Sequence, residues 1–430
     1  MINIKLIREN PELVKDNIKK KFQDEKIPLI DKLKKLDEQW KKTKFEEEKL
    51  RAQRNKISEK INSAKKRKEN ISKIIKEAKT IPEKIIQQKK KRNKLELEIR
   101  ELQIKIPNII SKNVPIGKDD SENIPEKYTG KTRKFDFPVK SHVEILEKLK
   151  LVDFDSSAKV SGTGFYYLEG DLALLNQALI RYGIDKMTSK NFKYVETPLL
   201  LREELIDQVT DLKDKQEQIY LTEDKPKMAL IGTSEHSLIG RYAKQEIPEK
   251  ELPIKQTSYS MCFRKEIGSH GIDEKGLFRT HQFNKIEMIV ICLPKESEKF
   301  YKILQEITVD IFNGLEIPIR ILKICSGDLG DLKYEQIDVE AYSPRKEDYF
   351  EVGSCSNLTG AQARKLKIST RVKGERIFPH TLNNTAIATS RALVAILENN
   401  QQKDGSIKIP KVLHKYMNGK KIIKSENIKK

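Results

Sequence analysis

The chain has 430 residues, of which 37% are hydrophobic and 35% are charged, and its formal net charge is +21. This length allows more than one domain and a sizeable core, whereas no apolar run approaches the ~18 residues of a membrane-spanning helix, and the start, MINIKLIREN, lacks the apolar centre of a signal peptide. We therefore expect a cytoplasmic protein with no membrane contact, and the basic charge indicates an anionic partner, most commonly a nucleic acid.

The positive charge is placed unevenly along the chain. Residues 1–110 hold 33 Lys and Arg against 18 Asp and Glu, which accounts for +15 of the +21. A chain that is rich in lysine only for solubility has no need of this asymmetry, so the distribution argues against that interpretation.

Residues 1–26 predict a short helical lead-in, in which Asn10-Pro11 is typical of a helix start. The next stretch carries apolar residues on alternating three- and four-residue steps, which is typical of a coiled-coil seam. The seam comprises Leu29, Leu33, Leu36, Trp40, Thr43, Leu50, Ile57, Ile61 and Ala64, and it is interrupted at Glu47 and Arg54. The basic run Lys65-Lys66-Arg67-Lys68 follows its end.

A second seam follows and stops at Ile106-Pro107-Asn108. It comprises Ile71, Ile74, Ala78, Ile81, Ile85, Leu95, Ile99, Leu102 and Ile106. Pro82 lies inside it and is expected to kink or locally break the helix. Two helical runs around a short basic break predict an antiparallel hairpin over about residues 27–105. Two interpretations stay open: a dimerising coiled coil with solvated charges, or an arm that contacts the phosphates of a nucleic acid.

Residues 107–140 contain four prolines and no clear period, which predicts a linker. We expect helices over 141–150 and from Leu172 to Met187, and the second leads into Thr197-Pro198. Strands are predicted at 228–232, 257–264, 283–292, 319–325, 334–342 and 349–355. Tight loops between several of them favour antiparallel pairing. The predicted fold class is therefore α+β, with an antiparallel β-sheet flanked by helices and an N-terminal α-helical coiled-coil arm.

The stretch from Met261 to Met288 is the most informative of the chain. Its two half-buried runs predict strands, and the polar loop between them contains Gly268, Gly271 and Gly276. Arg264 and Glu266 lie at the mouth of this loop, and the return strand carries Arg279, His281, Phe283 and Glu287. Taken alone, the pattern also fits a surface hairpin with solvated charges.

Three arginines that converge on one cleft suit a triphosphate, because guanidinium binds phosphate in a bidentate fork. Arg264, Arg279 and Arg391 lie near glycines, strand ends or a helix start. Phe283 has the shape to stack on a nucleobase, although taken alone a core position explains it better. Neither a Gly-rich dinucleotide fingerprint nor a P-loop is present in the sequence.

Glu351 and Ser354 are oxygen ligands at i and i+3, which suits a magnesium ion on a nucleotide. Upstream, Thr233 reads as the N-cap of a helix with His236 at its third position. The last long helix is predicted from Thr385 to Asn400, with the preceding asparagines as its cap and Arg391 one or two turns from its start. The tail, 411–430, holds seven Lys against one Glu and is expected to be mobile.

The four cysteines are widely spaced and form no CxxC pair: they are Cys262, Cys292, Cys325 and Cys355. Because they sit in apolar, strand-like runs, buried free thiols are expected rather than disulfides or a zinc site. That usage suits a reducing compartment.

Over nearly its whole length the chain closely resembles the seryl-tRNA synthetases, a family of class II aminoacyl-tRNA synthetases. The resemblance rests on the basic N-terminal hairpin and on class II motifs 1, 2 and 3. Motif 1 is the helix that leads into Thr197-Pro198, motif 2 is Phe-Arg-x-Glu with the His-Gln-Phe return strand, and motif 3 is LNNTAIATSRALVAILENNQ. GTSE and EVGSCSN occur between them in the family's order. The carboxylates Glu235 and Glu287 and the scattered cysteines favour the zinc-independent form.

The resemblance implies a role for each matching position. The implied ATP-binding residues are Arg264, Glu266, Arg279, Phe283, Glu351, Ser354 and Arg391, with Arg264 and Arg391 catalytic and Glu351 and Ser354 as Mg²⁺ ligands. The implied serine-binding residues are Thr233, Glu235, Arg264, Glu287, Asn383 and Thr385. The basic tip, Lys65, Lys66, Arg67 and Lys68, is expected to contact tRNA.

The resemblance also implies the reaction and the partners. Residues 1–110 would form a tRNA-binding domain and residues 111–430 a catalytic domain that activates L-serine with ATP and transfers it to tRNA(Ser), in a homodimer. A catalytically inactive, synthetase-like RNA-binding or regulatory paralogue is the alternative. A purely structural coiled-coil protein explains residues 1–110 but leaves the ordered polar set from Thr233 to Arg391 unexplained.

Overall fold

The computed structural model describes residues 1–68, 70, 72–266 and 276–424, without the side chains of residues 73–75, 77 and 212–214. The seam residue Ile71, the loop glycines Gly268 and Gly271 and the last residues of the tail, 425–430, lie outside the described residues. The chain divides into two compact units, Met1–Pro107 and Asn108–Lys430.

The first unit is helical. Its helices are α1 (Ile4–Glu9), α2 (Pro11–Lys20), α3 (Ile27–Lys66) and α4 (Ser72–Lys105), with a 3-10 turn at Asp24–Lys26. The side chain of Asn10 accepts the Leu13 N–H at 3.2 Å and so caps α2 directly before Pro11. The predicted helix start at Asn10-Pro11 is confirmed.

The two long helices of this unit form the predicted antiparallel hairpin. Ile57 of α3 packs against Ile81 and Ile85 of α4. Glu47, which lies earlier on α3, forms an ion pair with Arg92, which lies later on α4, at 2.9 Å. The contacts therefore run in opposite directions along the two helices. Glu47, one of the two interruptions of the seam, is buried because this ion pair neutralises it.

Pro82 lies inside α4, and the local break predicted there is wrong. The helix continues from Ser72 to Lys105. An internal proline removes one backbone donor and costs about 3 kcal/mol. The isoleucines on either side of it, Ile81 and Ile85, are buried in the hairpin seam, and each contributes roughly 1.5–3 kcal/mol through burial. Packing of the seam therefore offsets the cost of the proline.

The second unit combines helices with a large sheet. Its helices are α5 (His142–Leu149), α6 (Phe154–Ser161), α7 (Gly170–Ser189), α8 (Glu203–Val209), α9 (Leu212–Gln218), α10 (Glu235–Gly240), α11 (Ser297–Gly314), α12 (Ala361–Leu366) and α13 (Thr389–Asn400). Short 3-10 helices lie at Asp120–Glu122, Glu249–Glu251, Pro294–Glu296 and Lys411–Met417.

The strands of this unit include all six that the sequence predicts. They are β1 (Ile124–Thr129), β2 (Val152–Asp153), β3 (Tyr167–Leu168), β4 (Lys193–Tyr194), β5 (Leu200–Arg202), β6 (Met228–Leu230), β7 (Glu246–Ile247), β8 (Ile254–Phe263), β9 (Gln282–Cys292), β10 (Ile319–Lys323), β11 (Glu335–Ser343), β12 (Asp348–Thr359), β13 (Ser369–Val372), β14 (Glu375–Ile377), β15 (His380–Ala388), β16 (Ile407–Lys408) and β17 (Ile422–Ile423).

The main sheet has eight strands in the order β1-β10-β11-β12-β15-β9-β8-β4. Its pairings are antiparallel except that of β4 with β8. The α+β fold with an antiparallel sheet is therefore confirmed. Non-sequential neighbours such as β12, β15 and β9 bring distant parts of the chain side by side.

Strand β9 is buried on both faces. Ile286 and Met288 belong to the core packed under α7, α11 and α13, whereas Ile289 and Ile291 belong to the core packed under α8, α10 and α12. This double burial explains why the alternation of β9 is loose in the sequence. Because alternate residues of a strand share a face, Glu287 lies on the same side as Ile289 and α10.

The residues before the last helix form a strand, so the helix predicted from Thr385 is wrong at its start. Strand β15 lies between β12 and β9, and α13 begins only at Thr389. Arg391 therefore lies in the first turn of α13. The side chain of Asn384 is fully buried and donates to two oxygens of α11 at 2.7 and 2.9 Å. The side-chain amide nitrogen of Asn384, in a segment that resembles a helix cap, thus finds its partners inside the fold.

Two segments that were expected to be irregular or mobile are ordered. Strand β1 lies within the predicted linker, and its side chains are exposed or half-buried, so no burial period marks it in the sequence. In the tail, Leu413, Met417 and Ile423 are buried and β17 pairs with β16. The expected mobility is therefore wrong for residues 411–424.

Candidate active site

A cavity of about 710 Å³ lies against the face of the sheet that carries Glu287. Its walls come from β9, β11, β12 and β15 and from the starts of α10 and α13. The predicted site residues of this unit all line it: Thr233, Glu235, Arg264, Glu266, Arg279, Phe283, Glu287, Glu351, Ser354, Asn383, Thr385 and Arg391. The remaining four, Lys65, Lys66, Arg67 and Lys68, are exposed at the end of α3 in the other unit.

One part of the cavity contains two carboxylates. Glu287 is 1% exposed, accepts a hydrogen bond from the Thr233 hydroxyl at 3.2 Å and forms an ion pair with Lys285 at 2.5 Å. Burial and the neighbouring charge of Glu287 raise the pKa of Glu235 to about 7. The side-chain amide of Gln362 donates to Glu235 at 2.9 Å. Two neighbouring carboxylates, of which only Glu287 is paired with a lysine, suit an additional ammonium group.

Helix α10 delivers Glu235 to this position. The helix begins at Glu235 after Ser234, so Thr233 is not the N-cap that the sequence predicts. Its hydroxyl instead accepts the Glu235 N–H at 3.4 Å and donates to Glu287. His236 follows in the helix, and burial with the nearby charge of Arg264 lowers its pKa to about 3, so the ring is neutral.

Arg264 directly follows the end of β8 and points its side chain into the cavity. Its Nε donates to the carbonyl oxygen of Gly232 at 3.3 Å. Its guanidinium lies 5.4 Å from the ring centre of Phe283, which faces it from β9. The cation and the aromatic ring therefore flank the same part of the cavity.

A second arginine lies towards the open side. Arg279 Nη1 is 3.5 Å from Glu266 Oε2, and both side chains are partly exposed. An ion pair between exposed groups is weak, typically below about 1 kcal/mol. A ligand phosphate therefore competes readily for this arginine.

The third arginine is held by a carboxylate. Arg391 Nη1 donates to the carboxylate of Glu351 at 2.9 Å and to its carbonyl oxygen at 2.8 Å. Burial alone would raise the pKa of Glu351, but the charge and hydrogen bond of Arg391 hold it below its usual value. On the neighbouring strand, Asp338 is paired with Ser354. Burial and the charge of Glu351 raise the pKa of Asp338 to about 7.

Strand β15 brings the last two predicted residues to the cavity. Thr385 is paired directly with Glu287 of β9 in the sheet. Asn383 lies two residues earlier and therefore on the same face. Both line the cavity next to the two carboxylates.

Among the lining residues that were not anticipated are Phe278, Lys285 and Asp338. Gln362, which donates to Glu235, was not anticipated either. Lys285 was detectable, since it precedes Glu287 by two residues in a strand and so shares its face. Asp338 meets Ser354 only through the pairing of β11 with β12, and Gln362 meets Glu235 across a long stretch of chain. No local signal marks either of them.

The four cysteines are free and buried, as predicted. Within the described part of the chain, no helix combines the length and the apolar character needed to cross a membrane.

Comparisons with known proteins cover nearly the whole chain. Residues 1–110 match the seryl-tRNA synthetase N-terminal domain, and residues 218–400 match the class II tRNA synthetase core domain (G, H, P, S and T). A serine–tRNA ligase of Methanospirillum hungatei is 42% identical over 426 residues, which cover 98% of this chain and 100% of that relative.

Solved structures agree in fold. The seryl-tRNA synthetase of Pyrococcus horikoshii, crystallised with ATP, superposes with a TM-score of 0.92 at 39% identity and covers 99% of this chain and 100% of its own. The cytoplasmic serine–tRNA ligase of Naegleria fowleri, in complex with AMP, gives a TM-score of 0.88 at 30% identity, with 99% of each chain covered. The chain therefore belongs to the seryl-tRNA synthetase family of class II aminoacyl-tRNA synthetases.

Proposed function

We propose that this protein is an ATP-dependent serine–tRNA ligase, which converts L-serine and ATP to seryl-adenylate and pyrophosphate and then transfers the seryl group to the 3′ end of tRNA(Ser). One observation carries the proposal. A single cavity combines three arginines, an aromatic ring and a carboxylate–hydroxyl pair with a separate pair of carboxylates, Glu235 and Glu287. The first set suits a nucleoside triphosphate, and the second suits a small ammonium-bearing substrate.

ATP occupies the part of the cavity that the arginines surround. Phe283 offers a ring for the adenine to stack on, and Glu266 reads the edge of the base. Arg264 contacts the α-phosphate, whereas Arg279 and Arg391 contact the β- and γ-phosphates. The weak ion pair of Arg279 supports this assignment, because its guanidinium is available to an incoming anion.

Serine occupies the part near the two carboxylates. Its ammonium group pairs with Glu235 and Glu287, and its carboxylate lies towards Arg264. Thr233, Asn383 and Thr385 surround its side chain. The direct pairing of Thr385 with Glu287 in the sheet supports a narrow pocket at this place. A hydroxyl-binding site disfavours alanine, which leaves buried partners unpaired, and a narrow one excludes the methyl group of threonine.

The oxygen groups of Glu351 and Ser354 fit a Mg²⁺ ion that arrives with the nucleotide. Magnesium on ATP uses one or two protein carboxylates together with phosphate oxygens, and the described residues contain no cluster of three or more His, Cys, Asp or Glu ready to hold a metal alone. The raised pKa of Asp338 beside Glu351 supports the fit, because crowded carboxylates gain from a cation. When bound, the ion neutralises phosphate charge.

The chemistry needs no protein nucleophile. The serine carboxylate attacks the α-phosphorus in line, and pyrophosphate leaves. The ribose hydroxyl of the tRNA terminus then attacks the adenylate carbonyl and releases AMP. The side chains contribute by placing the reactants and by neutralising the charge that develops in the transition state.

The basic hairpin of the first unit carries the tRNA-binding role, and the unit that starts at Asn108 carries the chemistry. Lys65, Lys66, Arg67 and Lys68 are exposed and suit salt-sensitive phosphate contacts. This division keeps the long, narrow arm for recognition of the nucleic acid and the large sheet for the precise geometry that catalysis requires.

The protein acts as a homodimer in the cytoplasm. Tyr167, Leu174, Leu199 and Leu200 expose 46%, 56%, 37% and 44% of their surface near the motif 1 segment, which suits coverage by a second copy. The free cysteines suit a reducing compartment. Sedimentation analysis tests the dimer, since a monomer at micromolar concentration contradicts it.

The decisive experiment measures ATP–pyrophosphate exchange with each of the amino acids in turn. Exchange with serine alone, followed by charging of tRNA(Ser), is the expected result. Exchange with a different amino acid contradicts the substrate. A protein that binds tRNA but exchanges with none supports the alternative, a catalytically inactive paralogue.

A further inference from the structure

The segment from Gly276 to Phe278, whose last residue lines the cavity, is anchored by a buried histidine. The Leu277 N–H donates to Nε2 of His142 at 3.3 Å, and His142 lies in the first turn of α5. The other ring nitrogen, Nδ1, is 3.4 Å from a carboxylate oxygen of Glu398 on α13. The ring therefore joins three distant parts of the chain.

The hydrogen bond from Leu277 determines which ring nitrogen of His142 carries the proton. A backbone N–H can only donate, so Nε2 must accept and carries no proton. The proton of the neutral ring then lies on Nδ1, facing Glu398. Burial alone would raise the pKa of Glu398, but hydrogen bonds from His142 and Ser343 and the nearby charge of Arg345 hold it below its usual value. The carboxylate is ionised and orients the ring.

The backbone at this point is shaped around the histidine. Gly276 has a φ of +91°, and a Cβ atom there would lie 2.4 Å from His142 Nε2 and 2.7 Å from Val143 Cγ2. A side chain is therefore excluded both by the backbone conformation and by the close approach. The side chain of Leu277 is fully buried in the main core. The segment is thus fixed by its backbone on one side and by its side chain on the other.

The residue after this anchor touches Arg391. The ring centre of Phe278 lies 5.3 Å from the guanidinium carbon of Arg391 and 5.4 Å from the ring centre of Phe350. Arg391 is bonded on another side by Glu351. A cation over the face of an aromatic ring is attracted by the negative charge of that face. Phe278 therefore helps to define where the guanidinium points.

We propose that His142 is a positioning residue for the nucleotide. By accepting the Leu277 N–H it holds Phe278 against Arg391, and so presents the Arg391 guanidinium to the phosphates. Glu398 completes the arrangement, because it lies about two turns after Arg391 on the same helix and ties that helix to the anchor. The inference rests on the proposed function, since it takes Arg391 as a phosphate-binding residue.

Two amide variants, each of which reproduces the position of one ring nitrogen, separate this role from a merely structural one. In His142→Asn the amide nitrogen occupies the place of Nδ1 and keeps the bond to Glu398, but nothing reaches Leu277. In His142→Gln the amide group reaches the place of Nε2 and can accept the Leu277 N–H, whereas the bond to Glu398 is lost. The two changes thus each retain one half of the histidine's hydrogen bonding.

The measurement is the Kd of Mg-ATP and of serine for the full-length protein, by calorimetry without the other substrates. Positioning through Leu277 predicts that His142→Asn raises the Kd of Mg-ATP about tenfold and leaves the Kd of serine unchanged. Both Kd values of His142→Gln should stay close to those of the wild type. A role that only satisfies Glu398 predicts the opposite order, and that order overturns the proposal. Equal weakening of ATP and serine by His142→Asn overturns it too.

A double-mutant cycle with Phe278→Leu provides the second measurement and remains usable if His142→Gln folds poorly. If the histidine acts through Phe278, the effects of His142→Asn and Phe278→Leu on the ATP Kd are less than additive. Full additivity overturns the proposal. Failure of the proposed function looks different, because the wild-type protein itself would then bind no ATP.

Discussion

Arg391 and Glu351 form an ion pair 2.9 Å long inside the candidate active site, although forty residues separate them in the sequence. Arg391 lies in the first turn of α13, and Glu351 lies on β12. The pair keeps two opposite charges ionised in a partly buried site that is built for a charged ligand. A cation at Glu351 and a phosphate at Arg391 would replace this mutual contact, so the pair keeps the site ready for Mg-ATP.

Arg264→Ala is expected to abolish serine-dependent ATP–pyrophosphate exchange. Arg264 is assigned to the α-phosphate, where charge develops in the transition state, and loss of one such group typically costs 10²–10³-fold in rate. Arg264→Lys keeps the charge but loses the bidentate fork, so an intermediate rate is expected. Near-normal exchange by the alanine variant would remove Arg264 from the catalytic set.

Glu287→Gln is expected to raise the KM of serine far more than the KM of ATP. Glu287 is buried beside Thr233 and Lys285, and the neutral amide lacks the negative charge that pairs with an ammonium group. Glu266→Gln is the matched control, because Glu266 lies beside Arg279 in the part assigned to the nucleotide. The two variants should show opposite selectivity in steady-state kinetics, and equal effects on both KM values would contradict the serine-pocket assignment.

Much of the fold was accessible from local patterns. The hairpin follows from seams that alternate at three and four residues, and the strands β8 and β11 follow from their length and composition. The predictions failed where a local sequence pattern is compatible with two different structures. The residues Asn383 to Thr385 look like a helix cap, yet they lie in a central strand, because Asn384 finds its hydrogen-bond partners on α11.

The candidate site likewise contains residues that the sequence identified and residues that only the tertiary structure reveals. Residues that match a family motif were identified one by one, and the structure brings those of the second unit around one cavity. Asp338 and Gln362 were missed because their partners come from strand pairing or from tertiary contacts across many residues. His142 was missed for the same reason, since its partners lie on α13 and at Leu277.

Neutralising the tip of the hairpin is expected to weaken tRNA charging without affecting adenylation. Changing residues 65–68 to serine removes four exposed positive charges, so the KM of tRNA should rise and its salt dependence should become less steep. Removal of residues 30–104 should abolish charging altogether and leave pyrophosphate exchange intact. Both are measured with the same tRNA preparation.

The matched control for this experiment removes exposed lysines from the other unit: Lys131, Lys134, Lys159 and Lys373. This variant has the same net charge as the tip variant. If the control variant reduces charging as strongly as the tip variant, general electrostatic attraction explains the effect. An unchanged charging rate after removal of residues 30–104 would show that the arm does not bind tRNA.

Glu235→Gln is expected to change both the pH dependence of serine binding and that of stability. The pKa of Glu235 is raised to about 7 by burial and by the charge of Glu287. As the pH falls through this value the carboxyl group gains a proton and loses its attraction for the ammonium, so the wild-type KM of serine should rise below pH 7. In the glutamine variant the KM should be high, with a flatter pH dependence.

The same substitution, which weakens serine binding, is expected to stabilise the unliganded fold at high pH. A carboxyl whose pKa is higher in the folded than in the unfolded chain favours the folded state below the unfolded value, 4.5, and loses this contribution as the pH rises through the folded value, about 7. Glutamine has no proton to lose. Glu235→Gln should therefore match wild type at pH 4.5 and be more stable at pH 8, by on the order of 1–3 kcal/mol. Scanning calorimetry at both pH values, without ligands, measures the difference, and an equal Tm difference at the two pH values would show that Glu235 does not titrate in this range.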